Sequence, residues 1–93
     1  MFGLSDIIRR RAEVTVRITS TGALLIDLTT GRCWQLNRLG ADFLSEIETE
    51  KSLQIVCDAL GSRYEVSAEI LQRDLFRLTQ ELSDAGLIER TAG

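Results

Sequence analysis

The 93-residue sequence contains no histidine and no proline, one lysine, one tryptophan and two cysteines. Each scarcity excludes something. Without histidine the default general base near neutral pH is missing, and so is the commonest zinc ligand. Two cysteines alone cannot complete a tetrahedral metal site. Cys33 and Cys57 are 24 positions apart and match no zinc or redox spacing, so both are expected as reduced, partly buried residues of a cytosolic protein. A net charge of −3 opposes electrostatic capture of nucleic acid, which relies on Lys and Arg against phosphate. Long hydrophobic runs are absent too. The longest aliphatic stretch is Ala23-Leu24-Leu25-Ile26, against the roughly 20 residues needed to cross a bilayer. Met1 to Asp6 shows no charged leader followed by an apolar stretch, so no secretory signal is expected. No catalytic residue, metal ligand or cofactor is expected, and no membrane partner.

What is present suits one small soluble domain. Hydrophobic residues make up 44% and charged residues 27%. A chain this short buries about 60–65% of its unfolded surface, which supports one modest core. Residues 1–12 hold Ile7-Ile8 and then Arg9-Arg10-Arg11, read as a flexible arm. Val14, Val16 and Ile18 alternate with polar residues, which predicts a strand with one wet face. After the turn Ser20-Thr21-Gly22, Leu24, Ile26 and Leu28 alternate with Leu25 and Asp27 in a second strand. Thr29-Thr30-Gly31-Arg32 is a tight connection, with the glycine placed for positive φ. Cys33-Trp34-Gln35-Leu36 makes a short third strand.

The period changes at Asn37, a good N-cap. Leu39, Phe43, Leu44 and Ile47 recur at helical spacing, and Gly40 and Ala41 permit close approach to a neighbour. A second helix begins near Ser52, with Leu53, Val56, Cys57 and Leu60 on one face and Gly61 as its C′ residue. Ser67 caps a third helix with a stripe of Ile70, Leu71, Leu75, Leu78 and Leu82, ended by Gly86. Leu87 and Ile88 tuck back, and residues 90–93 are expected to fray. The expectation is an α+β fold: a three-stranded antiparallel β-meander followed by three α-helices, spanning 13–89.

In this order, Leu24-Leu25-Ile26-Asp27, Gly31-Arg32-Cys33-Trp34-Gln35-Leu36-Asn37 and Gly40 resemble the strand–turn–strand–helix signature of PqqD-like proteins. Leu60, Tyr64, Val66, Asp74, Leu78, Leu82 and Gly86-Leu87-Ile88 fall where that family has its later helices and terminal motif. The similarity covers residues 12 to 89. It departs at Cys33, where the family commonly has an aromatic. The resemblance implies a winged helix-turn-helix-like fold and a role as a recognition element for ribosomally made, modified peptides. The Gly31–Asn37 segment is most similar to free-standing versions from lasso-peptide pathways. There the implied partners are a precursor leader peptide and a transglutaminase-like leader peptidase, with an asparagine-synthetase-like lasso cyclase in the same pathway. Leaders of that kind commonly present a tyrosine, a proline and an aliphatic anchor.

Peptide capture also follows from the residues themselves. A meander leaves an edge strand with unpaired N–H and C=O groups, and an extended peptide gains ladder hydrogen bonds beside it. The predicted groove lies between strand 32–36 and helix 67–85. Its candidate residues are Arg32, Cys33, Trp34, Gln35 and Leu36 on the strand. On the helix they are Leu71, Asp74, Leu75, Arg77 and Leu78. Cys33 and Gln35 serve through their backbone; Trp34 and the leucines form the apolar wall. Arg73 and Arg77 are placed to pair with acidic leader residues. A leucine stripe is equally what a plain core helix presents, and Trp34 equally suits a core. The alternative of another class is a winged-helix DNA-binding regulator. Against it, the third helix carries Glu69, Asp74, Glu81 and Asp84 with only Arg73 and Arg77, where a reader of DNA needs the opposite sign. An enzyme, or an adaptor that docks on an enzyme without touching peptide, are the remaining readings.

Overall fold

A computed structural model describes residues 2–91. The expected meander is there: β2 (Val14–Ile18), β3 (Ala23–Asp27) and β4 (Cys33–Leu36) form a sheet in that order. So are the three helices, α1 (Arg38–Glu46), α2 (Leu53–Gly61) and α3 (Ala68–Asp84). A second small sheet was not expected. It orders β5 (Lys51–Ser52), β1 (Ile7–Arg10) and β6 (Ile88–Arg90), with β1 in the middle.

This second sheet corrects the reading of both ends. Residues 7–10 are not an arm; they pair antiparallel with β5 and β6, and Ile8 is fully buried. The arginines are engaged as well. Arg9 meets Glu89 at 2.9 Å, Arg11 meets Glu13 at 2.5 Å, and Arg10 donates to the Val14 carbonyl. Arg90 belongs to β6, lies 4.3 Å from the centroid of the Phe2 ring, and reaches Asp6 at 3.4 Å. Residues 92 and 93, in the stretch expected to fray, lie outside the described residues. The missing signal is one of distance: β1 and β6 are short and some 80 positions apart in sequence, so no local period announces their pairing.

The helix ends follow local chemistry. Asn37 accepts from the Gly40 amide, Ser52 from that of Ile55 and Ser67 from that of Ile70, which are N-cap bonds. At the end of α3 the Gly86 amide donates to Ser83 and the Leu87 amide to Leu82, with Gly86 at φ 76°. That pair of bonds is a Schellman motif. Gly61 differs from expectation. It is the last residue of α2 and its φ is not positive; Ser62 follows in right-handed conformation.

The core joins the inner face of the meander to all three helices. Val14, Ala23 and Leu25 meet Phe43, Leu44 and Ile47 of the α1 region, Leu53, Val56 and Leu60 of α2, and Leu71, Leu75 and Leu82 of α3. Two details depart from the periodic reading. On β3 the buried face is Ala23, Leu25 and Asp27, while Leu24 and Ile26 are half-buried on the other face and Leu28 is exposed. Asp27 tolerates burial because its Oδ1 accepts from the Thr29 amide at 2.9 Å and its carbonyl from Gly31. On α3, Ile70 is 45% exposed, and Thr79 takes the buried position, its hydroxyl donating to the Leu75 carbonyl at 2.7 Å.

The first turn of α1 packs directly on the last residue of β4. A Cβ on Gly40 would stand 2.8 Å from the Leu36 Cβ, so only glycine fits without a shift. Across the helices, the Tyr64 hydroxyl donates to Asp42 at 2.5 Å, and Arg63 reaches Asp42 and Glu46 at 3.8 and 3.4 Å. These bonds tie the loop before α3 to α1, and so fix α3 relative to the sheet. Among the described residues no helix is long and apolar enough to cross a membrane.

Candidate functional site

β4 has one paired and one open edge. The phase of the ladder decides which backbone groups face outward. The Asp27 amide donates to the Arg32 carbonyl at 2.9 Å, which makes Asp27 and Arg32 a hydrogen-bonded pair. Such pairs alternate along an antiparallel ladder. In the observed register, Trp34 opposite Leu25 and Leu36 opposite Ala23 are therefore bonded to β3. Cys33 and Gln35 then turn their N–H and C=O groups to the open edge. The backbone of these two residues, not of Trp34 or Leu36, is thus the part of β4 open to a further strand. Their side chains are exposed on the outer face of the sheet, while Trp34 and Leu36 are half-buried and pack against the core.

The other edge of this sheet is partly closed. The same alternation, set by Thr19 donating to Gly22 and Leu28 to Glu13, turns Val14, Val16 and Ile18 outward on β2. Val14 is satisfied within the chain: its amide donates to Arg11 at 3.1 Å and its carbonyl accepts from Arg10. The β4 edge carries no such guard among the described residues.

Beside the C-terminal end of β4 lies a cavity of about 230 Å³. Asn37 and Leu39 line it from the α1 side; Asp74, Arg77, Leu78 and Glu81 line it from α3. The four α3 residues fall at i, i+3, i+4 and i+7, which is one helix face. Arg77 donates to Asp74 at 3.0 Å, and Arg73 lies 3.7 Å from the same carboxylate. Asn37 holds its side-chain oxygen on the Gly40 amide at 3.0 Å and so presents its amide nitrogen elsewhere.

The structure thus divides the ten candidate residues. Asp74, Arg77 and Leu78 come together in the cavity. Cys33, Trp34, Gln35 and Leu36 form the adjoining strand, and Arg32 is exposed just before it. Leu71 and Leu75 are elsewhere: they are 4% and 0% exposed, pointing into the core, and cannot wall a groove. The apolar stripe and the cavity face are adjacent faces of one helix, and Leu78 stands at their border. Asn37, Leu39 and Glu81 were missed as lining residues. The i, i+3, i+4, i+7 set from Asp74 to Glu81 is the available signal: Asp74, Arg77 and Leu78 already belong to the candidate set, and Glu81 continues the same face by one more turn.

Elsewhere, burial and then the neighbouring Asp58 push the Cys57 thiol up from its ordinary value, which makes it a poor nucleophile. Both cysteines are free. Among the described residues, no three His, Cys, Asp or Glu side chains group in a way that could hold a metal ion.

Comparison with known proteins places the fold. No protein of curated function matches the chain. Among solved structures, it superposes on TbiB1 in complex with the TbiA(beta) leader peptide. The TM-score is 0.81 at 25% identity, over 91% of this chain and 99% of that one. It also superposes on lasso peptide synthetase B1 complexed with the leader peptide. There the TM-score is 0.77 at 32% identity, over 88% of this chain and 96% of the other. A third structure is the PqqD truncation of Methylobacterium extorquens PqqCD, described as a stand-alone recognition element for ribosomally synthesised and post-translationally modified peptides. It shares the fold with a TM-score of 0.81 at 20% identity, covering 97% of this chain and 96% of that one. Residues 22–88, from the first turn of the meander to the start of β6, match the family of coenzyme PQQ synthesis protein D, and the chain belongs to that PqqD family.

Proposed function

We propose that this protein binds the leader segment of a ribosomally synthesised precursor peptide, of the lasso-peptide kind, and has no catalytic step of its own. The leader adds as a strand to the open edge of β4, taking hydrogen bonds from Cys33 and Gln35, and lies against α3. Trp34, Leu36 and Leu78 offer apolar contact, and Asp74 and Arg77 polar contact; Arg32 borders the entry. The observation that carries this reading is the open, in-phase edge of β4 beside a concave face of α3. Two relatives with 25% and 32% identity and this same fold were each solved with a leader peptide bound.

In this role the protein works in the cytoplasm and delivers the leader to a transglutaminase-like peptidase, with an asparagine-synthetase-like cyclase acting in the same pathway. Binding by backbone pairing needs no histidine, metal or nucleophile. The DNA-binding alternative fares poorly on charge, because the open face of α3 carries Asp74 and Glu81 with Arg77 already paired.

The test is a titration of a fluorescently labelled synthetic leader, taken from the precursor gene beside this one. Saturable binding at micromolar concentration, with no salt-dependent retardation of duplex DNA in a gel shift, is the expected result. No saturation at tens of micromolar rejects the proposal.

A further inference from the structure

The charges lining the cavity are unevenly answered. Asp74 has Arg77 at 3.0 Å and Arg73 at 3.7 Å. Gln80, beside Glu81, spends its side-chain amide on Asp84 at 2.9 Å. Among the described residues the Glu81 carboxylate has no side-chain partner, although Arg77 stands one turn before it. The lining therefore holds a neutralised Asp74–Arg77 pair and one uncompensated carboxylate, on walls of Leu39, Leu78 and Asn37.

We propose that this cavity selects a basic side chain, lysine or arginine, of the bound peptide, and that Glu81 is the residue that sets this preference. The inference rests on the leader-binding reading and specifies its chemistry. Leu39 and Leu78 cover the methylene stem of a lysine or arginine, and the charged head reaches Glu81 at the rim. Arg73 and Arg77 both gather on Asp74, so the cluster is balanced as a whole while Glu81, one turn away, is left as its local negative end, and the concave walls strengthen that local field. An aspartate or glutamate in the same place meets a like charge and gains nothing from Arg77, which Asp74 already holds. This reverses the expectation that Arg73 and Arg77 attract acidic leader residues, since both serve Asp74. The cavity adjoins the Leu36 end of β4. For a peptide added antiparallel, as every strand pair here is, the basic residue lies toward the N-terminal side of the paired segment.

The experiment is selection of a phage library of random dodecapeptides on the intact protein and on its E81Q and E81K variants. Glu81 is exposed, so both variants keep the fold, which a thermal melt verifies. The wild type is expected to enrich lysine or arginine at one position relative to the common core of the selected peptides. E81Q loses that bias while still selecting peptides, and E81K turns it toward aspartate and glutamate. In a selected peptide, replacing the basic residue with glutamine weakens wild-type binding roughly two- to fivefold, as for a partly exposed ion pair, and leaves E81Q binding unchanged. The same bias on all three proteins, or an acidic bias on the wild type, overturns the inference while leader binding stands. Failure of all three to enrich any sequence overturns the leader-binding reading itself.

Discussion

The Asp27 amide and the Arg32 carbonyl meet at 2.9 Å across the β3–β4 turn, and this one bond sets which residues of β4 face outward. Gly31, at φ 76°, and the Asp27 side chain on the Thr29 amide hold the turn in the shape that makes the bond. A slip of one residue would exchange the two faces of β4. It would bury Cys33 and Gln35, expose Trp34, and turn the wrong backbone groups to the edge.

Gln35→Pro tests that phase. Proline removes the outward N–H and places its ring on the open edge, without touching a bond to β3. The expected result is a folded protein whose leader binding is weaker by about 1–3 kcal/mol, the cost of leaving a peptide carbonyl unpaired in the complex. Gln35→Ala, which keeps the backbone, should change affinity by less than twofold. Equal effects of the two substitutions in a fluorescence titration would mean that the side chain, not the backbone, makes the contact.

Leu75 and Leu78 separate the core from the groove. Leu75 is fully buried, so Leu75→Ala should cost about 2–5 kcal/mol of stability in a urea melt. Its effect on affinity per folded molecule should be small. Leu78 is half-buried and lines the cavity, so Leu78→Ala should lose about 1 kcal/mol of stability at most, and affinity with it. Loss of affinity in folded Leu75→Ala with none in Leu78→Ala would mean that the cavity face of α3 is not where the leader lies.

Much of this was legible in the sequence because it is local. The caps at Asn37, Ser52 and Ser67, the turn at Gly31 and the stop at Gly86 are each set by a few neighbouring residues, and each stands where the residues predict. The close approach at Gly40 was legible for the same reason. What was not legible depends on partners far along the chain. β1 pairs with β6 across some 80 residues of sequence, a separation that no local pattern spans. The burial of Asp27 depends on a turn that supplies its hydrogen bonds. The division of α3 into a core face and a cavity face depends on where α1 lies, which Gly40 and the Tyr64–Asp42 bond decide.

Tyr64 is the only tyrosine, so its titration can be read directly by phenolate absorbance. Burial, and then its hydrogen bond to Asp42, push the phenol up to about 12. The unfolded chain titrates near 10. The folded state therefore holds this proton more tightly, and the stability it contributes is fully present below pH 10 and lost as pH rises through about 12. A midpoint near 10 in the folded protein would show that the bond to Asp42 is not kept in solution. Tyr64→Phe should lower stability by about 1 kcal/mol and loosen the seat of α3.

The two thiols give the last test, since they report on opposite environments. Cys33 is exposed on the outer face of β4, while Cys57 is half-buried on α2 with its thiol pushed up by burial and by Asp58. Thiolate availability governs attack on an aromatic disulfide reagent. At pH 8 the first equivalent of reagent should therefore modify Cys33, with Cys57 following slowly or only on denaturation; peptide mass mapping after one equivalent checks the order. Because Cys33 contributes its backbone to the open edge, Cys33→Ala should bind leader within about twofold of the wild type, as expected for a surface change that leaves the ladder intact. A large loss in that variant would place the Cys33 side chain, rather than its amide and carbonyl, in the contact.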